Sequence, residues 1–211
     1  MSSATMAAAE REDLLALAES LSPGQWTQPS LCAGWTVQDV LTHIVSYEGR
    51  SPKEPARVAV AGRFSPARMN EVLVREARSR DRQEVLDRLR TFARPSGLTA
   101  GFGGRIALTD GLIHRQDIRR PLGLGCDVPA DRLVSALSFS MFAAPIRGAW
   151  RARGVRVRAV DVDWAFGRGP GVTGPGEALL MACAGRSSAL ADLDGPGLDR
   201  VSTNLGVDHL A

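Results

Sequence analysis

The chain has 211 residues, a formal net charge of +3 and 44% hydrophobic residues, so it can bury a sizeable core. Its three cysteines form no CxxC pair, which argues against a disulfide scaffold and a thiolate zinc cluster. The first residues lack a basic segment followed by an apolar run, and no stretch reaches the roughly 18 apolar residues of a membrane span. We therefore predict a cytoplasmic protein without a membrane partner.

The basic residues are almost all arginine, and Lys53 is the only lysine. They are spread along the chain among acidic residues, whereas a nucleic-acid-binding protein would cluster them on one face. The densest basic group, at 147–158, contains Trp150 as its single aromatic residue, too few for a base-stacking surface. We predict no nucleic-acid partner and disfavour a DNA-binding regulator.

The first half of the chain has the pattern of a helical domain. Apolar residues at helical spacing predict a helix from about Ala7 to Leu21. The segment Thr36–Asp39 resembles a capping box and opens a second helix, which runs to about Tyr47 before Ser51-Pro52 and Pro55 break it. Further helices are predicted at 66–76, 85–92, 106–120 and from 129 to about 150.

The pattern changes after about residue 152. Alternating apolar residues predict strands at 155–160 and 162–166, followed by a turn-rich stretch and a short helix at 177–184. Two more short strands are expected at 189–193 and 198–201. We therefore predict a mainly α protein, with a helical bundle at 1–151 and a small α+β domain at 152–211.

The helix at 106–120 carries a set of residues that can bind a metal ion. At about 100° per residue, Asp110 and His114 lie about 40° apart and one turn from each other, and Asp117 shares their stripe. His43 lies at the edge of the apolar face of the earlier helix and offers a ligand from a second element. Two histidines and a carboxylate are a ligand set that zinc accepts.

Each of these residues also has an ordinary structural explanation. A single histidine in a helix is more often a core or surface residue, and an Asp–His pair at i,i+4 can simply stabilise an exposed helix. Asp117 either pairs with Arg120 or orients an imidazole ring, and we favour the second role.

Three segments resemble one known family. They are the run 31–44 (LCAGWTVQDVLTHI), the run 110–118 (DGLIHRQDI) with Leu122-Gly123, and the tail segments 172–180 (VTGPGEALL) and 184–186 (AGR). Together they resemble the mycothiol-dependent maleylpyruvate isomerase family, a branch of the DinB-like proteins. The resemblance implies a DinB-like four-helix bundle followed by a domain with a sterol-carrier-protein-like fold.

The resemblance also implies a site and a cofactor. It makes His43, Asp110 and His114 the ligands of a divalent metal, usually zinc, with mycothiol as the thiol cosubstrate. Asp117 and Arg186 become the candidate catalytic residues, although Arg186 is equally explained as a surface arginine after a helix. Position 110 departs from the family, which usually has Glu there, and the chain is somewhat short for the family.

A metal with open coordination positions would activate a thiol for addition to a small electrophile, as an isomerase or an S-transferase. No protein nucleophile is expected, because Cys32, Cys126 and Cys183 have no His or metal motif near them in the sequence. A serine hydrolase is disfavoured, since the chain has no GxSxG elbow. The alternative is a non-catalytic metal-binding module for a small molecule or a protein, and the chain is expected to be a monomer or a homodimer.

Overall fold

The computed structural model describes residues 1–51 and 53–207, which form two compact units, Met1–Gly125 and Cys126–Ala211. The predicted boundary at residue 152 falls inside the second unit. The helix Ala130–Phe142, which precedes this boundary, packs against the helix Gly176–Cys183, which follows the strands. This packing places the helix Ala130–Phe142 with the strands. Each unit is described separately below.

The first unit is entirely helical. Its helices are α1 Ser3–Ser20, α2 Pro23–Trp26, α3 Val37–Ile44, α4 Glu54–Ala61, α5 Pro66–Ala77, α6 Arg82–Thr91 and α7 Arg105–Arg119. Helices α1 and α3 each pack against both α6 and α7, so these four helices form a bundle around one core. Helix α5 packs against α3 and α4. The predicted mainly α architecture is confirmed.

Local sequence signals account for the start of the site-bearing helix α3. Its predicted capping box is present, because Thr36 Oγ1 accepts from the Asp39 amide at 3.2 Å and Asp39 Oδ2 accepts from the Thr36 amide at 3.0 Å. Helix α4 was not predicted. Pro55 lies in its first turn, where the missing amide hydrogen has no helical partner to lose. Pro52, named above as a helix breaker, lies outside the described residues.

Helix α7 lies unusually close to α1. A Cβ atom at Gly111 would lie 3.1 Å from Glu10 Cγ and 3.4 Å from Leu14 Cδ1. At Gly104, which has φ +91° at the start of α7, a Cβ would lie 2.7 Å from the Ala4 Cα. Glycine at these two positions therefore permits the backbones of α1 and α7 to approach.

The core of the first unit is formed by apolar side chains that include those of α1, α3, α6 and α7. Its fully buried members include Leu14, Ala18, Val37, Val40, Leu41, Val45, Leu89 and Ile118. Burial of one such large aliphatic side chain contributes roughly 1.5–3 kcal/mol. In the part of the chain that the structure describes, no helix has the length and apolar character needed to cross a membrane.

A buried ion pair lies inside this unit. Arg11 Nη2 lies 3.5 Å from Glu48 Oε1, and their side chains are 1% and 0% exposed. The Glu48 carboxylate also accepts from the hydroxyls of Ser96 at 2.8 Å and Thr99 at 2.5 Å. The Glu48 carboxylate therefore connects α1 to the segment that precedes α7.

The second unit combines helices with a small sheet. Its elements are α8 Ala130–Phe142, α9 Gly148–Arg151, β1 Arg156–Ala159, β2 Ala165–Gly167, β3 Gly171–Gly174, α10 Gly176–Cys183, a 3₁₀ helix Ser187–Asp192 and α11 Leu198–Leu205. The sheet has the order β2-β1-β3, and β1 is antiparallel to β2 and parallel to β3. This confirms the predicted small α+β part.

Several predictions of local structure in the second unit are wrong. The expected strands at 189–193 and 198–201 are a 3₁₀ helix and α11, because short apolar runs do not distinguish a strand from a helix. Helix α11 has Asp199 in its first turn and ends at Gly206 in the left-handed conformation. The helix expected from 129 to 150 is divided into α8 and α9, with Pro145 between them. Strand β3 lies in the stretch predicted to be rich in turns.

The Glu48→Gln substitution should destabilise the first unit strongly. It would leave the buried Arg11 guanidinium without a counter-charge, and breaking a buried pair in this way costs about 3–5 kcal/mol. Urea unfolding followed by tryptophan fluorescence would measure the loss. Glu19→Gln, which removes the exposed pair with Arg90, is the control and should change the midpoint little. Equal unfolding midpoints for Glu48→Gln and wild type would contradict a stabilising role of the buried Arg11–Glu48 pair.

Candidate metal centre

Two packed helices bring the three predicted ligands together. Asp110 and His114 lie one turn apart on the same face of α7. His43 lies in the last turn of α3, which packs against α7. The side chains of His43 and His114 are buried, and their ring centroids lie 4.9 Å apart at an angle of 85°. The sequence-based set is therefore one cluster in space.

The distances between the donor atoms suit a single metal ion. Asp110 Oδ1 lies 3.4 Å from His114 Nε2 and 3.7 Å from His43 Nε2. One ligand atom from each residue lies within 4.8 Å of the other two. Zinc holds nitrogen and oxygen ligands at about 2.0–2.2 Å, so tetrahedral ligand atoms lie about 3.3–3.6 Å apart. The residues therefore fit a divalent ion with little rearrangement.

The cluster opens to solvent on the side of Asp110, whose side chain is 38% exposed. Two aromatic rings flank His43. The Trp35 ring centroid lies 5.2 Å from that of the imidazole, and the Tyr47 centroid lies 6.4 Å away. The Tyr47 hydroxyl donates to Asn70 Oδ1 at 2.7 Å, which fixes the ring. An ion held here would have histidines and aromatic rings on its buried side and solvent on the other.

Charge interactions polarise the three ligands. Burial opposes ionisation of Asp110, but His114 and His43 outweigh it and hold the pKa of Asp110 well below its usual value. Burial also disfavours protonated His114, yet Asp110, Asp117 and Cys32 raise the pKa of His114 well above its usual value. Burial lowers the pKa of His43, against the opposing effect of Asp110. These shifts have the directions expected for a carboxylate and an imidazole that stabilise each other's charged forms.

Asp117 contacts the opposite edge of the His114 ring. Its Oδ2 lies 2.9 Å from His114 Nδ1, and its side chain is 0% exposed. Because an ionised carboxylate only accepts, Nδ1 carries the hydrogen and Nε2 faces Asp110. The structure thus places Asp117 against the imidazole, which is the position that a residue orienting His114 requires.

Cys32 is a site residue that the sequence analysis missed. Cys32 has no His or metal motif near it in the sequence, yet in the structure its Sγ lies 3.6 Å from His114 Nδ1 and 3.1 Å from Asp117 Oδ2. The contact joins residues 82 positions apart, so sequence spacing carries no sign of it. The one available signal was that Cys32 precedes Gly34-Trp35 in the same motif as His43. Cys32, His114 and Asp117 form a second group with ligand atoms within 4.8 Å of one another.

Arg186 belongs to the second unit, whereas the other predicted site residues belong to the first. It lies immediately before the 3₁₀ helix, and its Nη1 donates to the Ala184 carbonyl at 2.8 Å. Its role in substrate binding stays a prediction.

Comparison with known families identifies the N-terminal part of the chain. The family model described as the mycothiol maleylpyruvate isomerase N-terminal domain matches residues 7–95. Residues 7–95 are therefore similar to that domain. The matched segment contains His43, while Asp110, His114 and the whole second unit lie beyond it. Comparisons with curated proteins and with solved structures gave no match.

Two cysteines away from this cluster should differ sharply in reactivity. Cys126 is exposed, whereas Cys183 is buried and its burial raises its pKa to about 12, against a smaller opposing effect of Arg151. We expect iodoacetamide at pH 8 to label Cys126 in the native protein and Cys183 only after unfolding, as measured by peptide mass spectrometry. Equal native labelling rates at the two positions would show that the described burial of Cys183 is wrong.

Proposed function

We propose that the protein is a metal-dependent enzyme that activates the low-molecular-weight thiol mycothiol for addition to a small electrophile. The observation that carries the proposal is the convergence of His43, Asp110 and His114 in a unit whose N-terminal segment is similar to the mycothiol maleylpyruvate isomerase N-terminal domain. Zinc is the proposed ion, because it accepts two imidazole nitrogens and one carboxylate oxygen. The proposed location is the cytoplasm, where free thiols stay reduced.

The chain's own residues have separate tasks in this proposal. His43 and His114 supply neutral nitrogen donors, and Asp110 supplies a negatively charged oxygen at the solvent-open side. When bound, the ion supplies Lewis acidity that lowers the pKa of a thiol. Trp35 and Tyr47 border His43 with apolar ring surface, which would help to exclude water from the reacting sulfur.

The attacking sulfur is proposed to come from outside the protein. Cys183 is buried, and Cys126 belongs to the other unit. Cys32 lies against His114 Nδ1, the ring edge opposite to the Nε2 atom that faces Asp110. Within the first unit, the described cysteine Cys32 therefore does not lie on the Nε2 side with Asp110, which favours a thiol cosubstrate.

Isomerisation and S-transfer start with the same addition and differ in its outcome. In isomerisation, the sulfur adds to one carbon of a cis double bond, rotation follows about the resulting single bond, and elimination returns the thiol. In S-transfer, the carbon–sulfur bond persists and the thiol is consumed. Arg186 is proposed to contribute to substrate binding in either case.

A non-catalytic metal-binding module remains the second candidate. Asp110 favours it, because aspartate is one methylene shorter than the glutamate usual in the family and would hold an ion less firmly. In that case the same three residues bind the metal, but no thiol reaction follows.

His114→Ala should remove most of the bound metal, because it deletes one ligand while the apolar core remains intact. Metal analysis of purified protein by plasma mass spectrometry measures the occupancy, and circular dichroism checks that the helices persist. Full occupancy in a folded His114→Ala protein would sink the proposed site.

Asp110→Asn should weaken zinc binding at least about tenfold, since it removes the anionic ligand and the charge that favours the cation. Competition against a chromophoric chelator measures the affinity. The control is Asp87→Asn, which makes the same chemical change at an exposed position on α6 and should bind zinc like wild type. Equal weakening in both variants would count against Asp110 as a ligand.

The reaction itself is tested with zinc-loaded protein, mycothiol and maleylpyruvate, followed by a panel of small electrophiles. Conversion with the thiol concentration unchanged indicates isomerisation, and loss of thiol with product indicates S-transfer. Wild type should turn over at least one substrate, and His114→Ala should not. Zinc binding without turnover or thiol binding would favour the binding module.

A further inference from the structure

We propose that Cys32 is a positioning residue for the metal ligand His114, and that it acts through Asp117. This inference deepens the proposed function and rests on it, since it assigns a support to one of the three ligands.

The geometry places two donors on one acceptor. Asp117 Oδ2 lies 2.9 Å from His114 Nδ1 and 3.1 Å from Cys32 Sγ. The carboxylate is 0% exposed, and a buried charge of this kind needs hydrogen-bond donors to replace water. The thiol therefore donates to the same oxygen that receives the imidazole hydrogen.

The loop that carries Cys32 is attached to α7 by its backbone as well. The Leu31 amide donates to the Asp117 carbonyl at 3.0 Å. The Cys32 amide donates to Ser30 Oγ at 3.1 Å, and that hydroxyl donates to the Trp35 carbonyl at 2.9 Å. The sulfur is consequently held at a defined place relative to Asp117.

This attachment links the two helices of the metal centre. The Cys32 loop leads directly into the capping box of α3, the helix that carries His43. Asp117 belongs to α7, the helix that carries Asp110 and His114. The contact between Cys32 and Asp117 therefore connects the start of α3 to α7. Through Asp117, the same contact sets the orientation of the His114 ring.

Loss of the thiol should loosen Asp117 and, through it, the imidazole. Groups that orient a metal-bound histidine typically affect metal affinity by about 10–100-fold. Because Cys32 acts on His114 through Asp117, we expect Cys32→Ala to weaken zinc binding by about tenfold, the lower end of that range. Cys32→Ser retains a donor at the same place and should restore most of the affinity.

The experiment compares wild type, Cys32→Ala and Cys32→Ser, with Cys126→Ala as the matched control at an exposed cysteine. Zinc affinity is measured by chelator competition, and the cobalt-substituted proteins are compared by visible absorption. We expect a changed cobalt spectrum for Cys32→Ala only, with unchanged circular dichroism for all variants. A general loss of stability would not shift the cobalt spectrum of a folded protein.

A second measurement does not depend on metal binding. The His114 Nδ1–H proton should give a downfield signal protected from exchange in wild type and Cys32→Ser, and a weakened one in Cys32→Ala. If wild type binds no zinc but shows this signal, the proposed function is rejected. The contact among Cys32, Asp117 and His114 is supported in that case. Cys32→Ala that matches wild type in affinity, cobalt spectrum and proton signal would overturn the positioning role. An intense sulfur-to-cobalt band that Cys32→Ser removes would also overturn it, because Cys32 would then be a ligand.

Discussion

The burial of α7 between α1 and α3 is the constraint on which the candidate metal centre depends. Gly111 lets α1 approach α7 at the residue after Asp110, and Gly104 lets the start of α7 approach the start of α1. A Cβ at either position would meet atoms of α1 at 3.1 Å or less, so a larger residue there would disturb the packing of α7. The position of the ligands is thus a result of backbone packing as much as of ligand chemistry.

A helix in this position buries charged groups at a cost, and groups of opposite charge lie against them. Arg115 faces Glu10 at 2.6 Å, and Asp117 faces His114 at 2.9 Å. Asp110 keeps partial exposure and lies between the two imidazoles. Because these charges are neutralised within the unit, the ligands can be held in place before any ion arrives.

Sequence patterns were sufficient for the parts of the structure that depend on local signals. The capping box at Thr36 and the helical spacing of Asp110 and His114 predicted the two helices and the shared face of the α7 residues. Their convergence with His43 was suggested by family resemblance and not by spacing. The contact of Cys32 with His114 depends on tertiary packing, so no local pattern could show it.

The same limit explains the errors in the second unit. The apolar stretch around Leu198 has too few residues for helical and strand periodicity to differ. Its helical structure depends on the end of α11 at Gly206 and on the packing of α11 against α9. Helix α8 was assigned to the bundle because it follows the helices in the chain. Its packing against α10 places it with the strands, and only the contacts between elements reveal this.

The separation of His43 from Asp110 and His114 along the chain has a consequence for biosynthesis. A nascent chain that has formed α3 but not yet α7 has one of the three ligands and therefore no chelating site. The three donors come together only when α7 has docked on α3, so an ion bound by all three would bind the folded unit. Such binding would add to the stability of the folded unit by mass action.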